Sequence, residues 1–205
     1  MPSKTEAPRG GKGLRTRERL LGAAIGEFRR AGVAGADIKA IAAAAGVAQG
    51  TFYFHFPTKE HVLIELERRE EERIAGELTR FFAESPGLPA ALLRIVTTVQ
   101  GLERRLGSPL FKDFLALHFS AARPPEEVWT NHPVIVVVVD ELRRASDRGV
   151  IPPDVDPFYS GLFFLVGLYA LLITLPGTVP IRDQVLDQYV KTSLHGMRVQ
   201  PTATA

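Results

Sequence analysis

The stretch from Asp37 to Glu60 leaves the chain few choices. Its first half places Ile38, Ile41, Ala42 and Ala45 three or four residues apart, the spacing of one helix face. The run Ala42–Ala45 has high helix propensity and almost no bulk, as a close helix crossing requires. Asp37 offers a carboxylate to a free backbone N–H at the start of that helix. Gly46 follows at once, where a helix C-terminus often turns into left-handed backbone. Val47 packs in the turn, and Ala48 or Gln49 opens a second short helix. Pro57 lacks an N–H and biases Phe56 away from helical geometry, so the segment stops there. Thr58 then caps a third, long helix. Phe52-Tyr-Phe-His-Phe56 alternates with period two, and by pattern alone it also fits a strand between Gly50 and Pro57.

A helix, a short glycine turn and a second short helix make the geometry of a DNA-reading helix-turn-helix. The residues Ile41-Ala42, Ala45-Gly46-Val47, Gly50-Thr51, Phe52-Tyr53, Phe56 and Lys59-Glu60 resemble, at fixed spacing, the signature of the TetR-type transcriptional regulator family. That family usually has Thr where Ala36 stands, so the cap here has moved to Asp37. The resemblance decides residues 52–56 for helix rather than strand. It implies an all-α fold: a three-helix DNA-binding domain, then a larger helical domain for effector binding and dimerisation. It also implies that residues 48–55 lie in the DNA major groove. Gln49 is the expected base reader, because its amide can both donate to and accept from an adenine edge. Thr51, Tyr53 and His55 offer further donors. Lys59 opens the long helix, where free N–H groups and the helix dipole favour a phosphate. Arg15, Arg17 and Lys39 are further phosphate candidates.

Charge is consistent with this placement. Net charge is only +2, but residues 1–60 hold ten Lys/Arg against five Asp/Glu. The remainder is net acidic. A local basic patch is the usual footprint of phosphate binding. There is no cysteine, which excludes disulfides, thiolate nucleophiles and Cys-based zinc sites and fits a reducing compartment. The N-terminus shows no apolar signal segment. Residues 157–181 carry no charge, but the almost wholly apolar core, Leu162–Leu175, is shorter than the roughly 20 residues that span a bilayer. A buried helix or subunit interface is the expectation, with no membrane partner.

In chain order, residues 1–13 read as a flexible basic arm. A first helix covers 14–31, with Leu21, Ala24, Ile25 and Phe28 on one face and Gly32 at its end. The DNA-binding domain is expected to span 14–60, with a core of Leu21, Ile25, Phe28, Ile38, Ile41, Val47, Phe52 and Phe56. One long helix covers 58–83. Its charged middle, Glu67–Arg73, carries an Arg68–Glu72 pair and reads as a solvated bridge between domains. Further helices are expected at 89–106 and 109–122. Val134–Val139 has strand propensity but runs into a plainly helical segment ending at Gly149, so one buried helix is expected there. Asp156 and Pro157 suit a helix start, giving helices at 157–175 and 180–197. The effector-binding and dimerisation domain thus spans 61–198, with a disordered tail at 199–205. The resemblance implies that the last two helices pair with a second subunit in a four-helix bundle.

A pocket, if present, lies within 78–170. Candidate linings are Phe81, Phe82, Phe111, Phe114, His118, Trp129, Phe163, Phe164 and Tyr169, a set that suits a lipophilic or acyl-type effector. No G-x-S-x-G, H-E-x-x-H or phosphate-loop motif occurs, so no catalytic residue and no cofactor is expected. The histidines lack metal-ligand spacing, except that His118 and His132 could meet with Asp113 in the fold. The expected function is a cytoplasmic, nucleoid-associated bacterial regulator. It would bind a pseudo-palindromic operator as a homodimer, most commonly as a repressor, and leave it when a small effector binds. The competing reading is a helical ligand-binding or scaffold dimer without operator binding.

Overall fold

The computed structural model describes residues 9–118 and 131–198. Among these, the ordered elements are helices: α1 (Arg9–Gly35), α2 (Ile38–Ala44), α3 (Gln49–His55), α4 (Lys59–Phe82), α5 (Leu88–Leu106), α6 (Ser108–Leu117), α7 (Pro133–Asp147), α8 (Pro157–Thr174) and α9 (Arg182–Gly196). They divide into two compact units. The first holds described residues up to 68 together with 106–114; the second holds the rest. The boundary therefore falls inside α4, between Arg68 and Arg69, rather than at residue 60.

Helix α1 starts at Arg9, so residues 9–13 are helical where a flexible arm was expected. From Arg9 onward no proline interrupts the hydrogen-bond ladder, and each glycine costs only about 1 kcal/mol against alanine. Residues 1–8 and 199–205, the rest of the arm and the tail, lie outside the described residues. The buried stripe of α1 is Leu20, Leu21, Ala24 and Phe28, which pack with Ile41, Ala42, Phe52, Phe56 and Val62 in the first unit. Ile25, Ile38 and Val47, expected in this core, are only half-buried.

Two glycines set the geometry of this unit. Gly46 takes φ +64 after α2, as the turn requires. Gly32 takes φ +70 and breaks the α1 ladder. The N–H of Val33 that this break releases donates to Asp113 Oδ2 at 2.6 Å. Asp113 is thus committed to the backbone of α1 rather than to His118 and His132. Replacing Asp113 by Ala should cost about 1–3 kcal/mol, because it leaves a part-buried donor without its acceptor. Asp113→Asn, which keeps an acceptor, should cost less. Thermal unfolding at fixed protein concentration reads both.

In the second unit the valine run is helical. Pro133 occupies the first turn of α7, and Val134, Val138, Leu142 and Ala145 are buried along one face. The carboxylate of Asp156 accepts from the N–H groups of Phe158 (2.8 Å) and Tyr159 (3.1 Å), capping α8. By length and composition α8 could cross a bilayer, with mean hydropathy 1.7. Its neighbours instead bury Leu162, Phe164, Leu165, Leu168, Tyr169 and Leu172. On the α9 side, the Tyr189 hydroxyl donates to Phe164 O at 2.7 Å and the two rings stack at 5.3 Å. Burial pushes the Tyr189 hydroxyl up to about 12, which keeps it a donor. Tyr159 and Phe163 of α8 are left exposed, at 54% and 66%.

Candidate nucleic-acid interface

The recognition segment is built as its residues dictate. Asp37 Oδ1 accepts from Lys39 N at 2.8 Å and starts α2. Ala48, in extended geometry, starts α3, and Phe56 ends it before Pro57. Thr58 precedes α4, with its hydroxyl 3.0 Å from His61 Nδ1. Phe52 is fully buried and holds α3 down, with Tyr53 edge-on to it at 5.6 Å. The outer side of α3 then presents Gln49, Tyr53 and Phe54, with Thr51 and His55 half-buried beside them. Phe54 is 83% exposed and meets the His55 ring edge-on at 5.1 Å. The strand-like alternation of this stretch concealed it. An exposed aromatic on this helix can contact a thymine methyl group.

The basic candidates separate into two kinds. Arg15 and Lys39 are exposed. Arg17 is not a free phosphate ligand: its guanidinium lies 4.6 Å over the Phe56 ring and pairs with Glu65 at 3.3 Å. Lys59 Nζ donates to the carbonyls of Ala34 (2.9 Å) and Ala36 (3.3 Å), so it ties down the chain between α1 and α2. Carbonyls left free where α1 ends draw the ammonium inward, and sequence spacing could not show this.

The described effector candidates fall in both units. Phe111 and Phe114 are buried and belong to the first unit. In the second unit, Phe82 is buried against a half-buried Phe81, over which Arg94 lies at 5.2 Å. Phe164 is buried against Tyr189, whereas Phe163 faces outward. Trp129 lies outside the described residues. His118 and Tyr169 do meet, with ring centroids 4.9 Å apart.

Residues 20–66 match the family model for bacterial regulatory proteins of the tetR family. The match covers the helix-turn-helix segment, from α1 into the first part of α4. An HTH-type transcriptional regulator, UidR of Escherichia coli K12, is 24% identical over 89% of this chain and 92% of its own length. Another, AcrR of Shigella flexneri, is 33% identical over 44% of this chain, and the match spans less than half of that relative's length, 45%. The crystal structure of Thermus thermophilus FadR, a TetR-family repressor in complex with lauroyl-CoA, superimposes with TM-score 0.67 at 21% identity, covering 92% of this chain and 99% of that one.

The charged middle of α4 departs from the solvated bridge that its sequence suggested. Glu67 and Glu71 are each only 4% exposed, and Arg68 pairs with Glu65 at 3.2 Å. Glu71 Oε1 lies 2.8 Å from His118 Nε2 and 2.7 Å from His132 Nε2. Burial alone would raise the Glu71 carboxyl, but the hydrogen bonds from His118 and His132 outweigh it and hold it down at about 2. His118 and His132 therefore do come together, as anticipated, but around Glu71 instead of Asp113. These residues lie on three different segments, so no local spacing could announce them.

Proposed function

We propose that the protein is a sequence-specific DNA-binding transcriptional regulator, most simply a repressor, that grips a pseudo-palindromic operator as a homodimer and is released by a small lipophilic effector. The observation that carries this reading is the exposure pattern of α3. Its apolar side is sunk through Phe52, while Gln49, Tyr53 and Phe54 stand outward on a helix-turn-helix frame. One short helix discriminates little. Two of them about 34–36 Å apart read two half-sites on one DNA face. The uncharged outer side of α8, with Tyr159 and Phe163 exposed, supplies apolar surface for pairing two copies through residues 157–197. Such a protein works on the nucleoid in the cytoplasm and catalyses no reaction.

An acyl thioester is the effector class to try first. The support is the fold shared with a repressor crystallised with lauroyl-CoA and the aromatic-rich interior of the second unit. A ligand that alters the spacing of two recognition helices opposes simultaneous docking. Couplings of roughly 1–3 kcal/mol change operator affinity about 5–150-fold.

Fluorescence anisotropy on DNA from upstream of the gene, with unrelated DNA as control and across a salt series, tests the reading. The expected preference is roughly 10³-fold or more, and long-chain acyl-CoA should reduce it. Absence of DNA binding even at low salt would overturn the regulator reading and leave a helical ligand-binding dimer.

A further inference from the structure

We propose that Glu71, His118 and His132 form a binding site for one divalent first-row transition-metal ion per chain. The three come from the middle of α4, the residue after α6 and the residue before α7. All lie in the second unit. Their side chains are 5%, 10% and 7% exposed, so the groups are sequestered rather than displayed on a solvated face. Both imidazoles aim Nε2 at the same carboxylate oxygen.

That convergence has the dimensions of a coordination shell. An ion bound at about 2.0–2.2 Å from nitrogen and oxygen ligands separates ligands at right angles by about 3 Å. The two N···O separations, 2.7 and 2.8 Å, need to open by only a few tenths of an ångström. Without an ion, both Nε2 atoms must carry protons to donate to the one oxygen. With an ion, those protons leave and the same lone pairs point at the metal. Two imidazoles with one carboxylate select zinc, nickel, cobalt or ferrous iron over magnesium and calcium, which prefer all-oxygen shells. A bound ion ties the middle of α4 to the start of α7.

The test uses the untagged full chain, stripped with chelator and titrated calorimetrically with Zn(II), with Ca(II) as control. The bound ion is counted by elemental analysis after gel filtration. The expected result is about one zinc per chain, no calcium binding and a higher Tm with zinc. Glu71→Gln and His132→Gln should each weaken zinc binding by at least about 100-fold, since even outer-shell changes cost 10–100-fold. His61→Gln and His195→Gln should leave it unchanged. Should the site variants fold poorly, histidine ring NMR of the wild-type chain decides: zinc should shift two of the five rings. Sub-stoichiometric zinc, equal calcium binding, or zinc binding abolished by loss of His61 or His195 would overturn the proposal. None of these readouts depends on DNA binding, so this site and the regulator reading fail separately.

Discussion

Alanine at Gln49 is expected to lower affinity for operator DNA while leaving affinity for unrelated DNA unchanged. A bidentate amide–adenine contact contributes about 1–3 kcal/mol of discrimination. A symmetric dimer makes it twice, so the expected loss is about 2–6 kcal/mol, most of a typical specific preference. Adding Tyr53→Ala removes the remaining large polar side chain exposed on α3. Gln49 is neutral, so the slope of log affinity against log salt stays as it was. The basic residues behave differently, and the structure says which. Arg15→Ala and Lys39→Ala remove exposed charges; each should weaken binding to all DNA alike and reduce the salt slope by about one per contact. Arg17→Ala and Lys59→Ala should instead lower Tm, because they remove the Phe56 and Glu65 contacts and the grip on Ala34 and Ala36. Equal loss of specific and non-specific binding in Gln49→Ala would remove that residue from base reading.

The division between those two sets of basic residues marks how far the sequence was legible. Local rules carried the recognition segment. Asp37 caps α2, Gly46 turns with positive φ and Pro57 ends α3, as the physics of each residue requires. The same holds for the Asp156–Pro157 start of α8 and for the helical valines of α7. In each case the deciding interaction spans a few residues, so the sequence contains it whole. The features that escaped are juxtapositions of distant segments. Asp113 meets Val33 across 80 residues, and His118 meets Glu71 across 47. Charged runs are the weakest signal of this kind. Glu67–Arg73 reads as solvated, yet two of its carboxylates face inward, because helical spacing fixes which residues share a side and not what covers it. The aromatic effector candidates are limited in the same way. Their periodicity marks burial, and only the tertiary arrangement separates Phe163, turned outward, from Phe164, stacked on Tyr189.

Glu103→Ala is expected to be among the most destabilising single substitutions in the second unit. The Arg182 side chain is 5% exposed, and its Nη2 donates to Glu103 Oε2 at 2.5 Å. Removing the carboxylate leaves a guanidinium with no compensating charge in a site that water scarcely reaches, and such losses cost about 3–5 kcal/mol. The pair itself is no large net gain, because both ions gave up hydration to form it and Arg182 Nε has no hydrogen-bond partner. Replacing both residues with apolar side chains of similar size, as in Glu103→Leu with Arg182→Met, should therefore restore most of the stability. Arg182 opens α9, and Glu103 lies near the end of α5, 79 residues earlier. The single variant should thus loosen α9 and, with it, the α8–α9 surface assigned to pairing two copies. Chemical denaturation at fixed protein concentration gives the stability, and sedimentation gives the assembly state. If the single variant unfolds at the wild-type midpoint, the ion pair is dispensable. A double variant no better than the single one would mean that the charges themselves, and not merely a filled volume, hold α9 to α5.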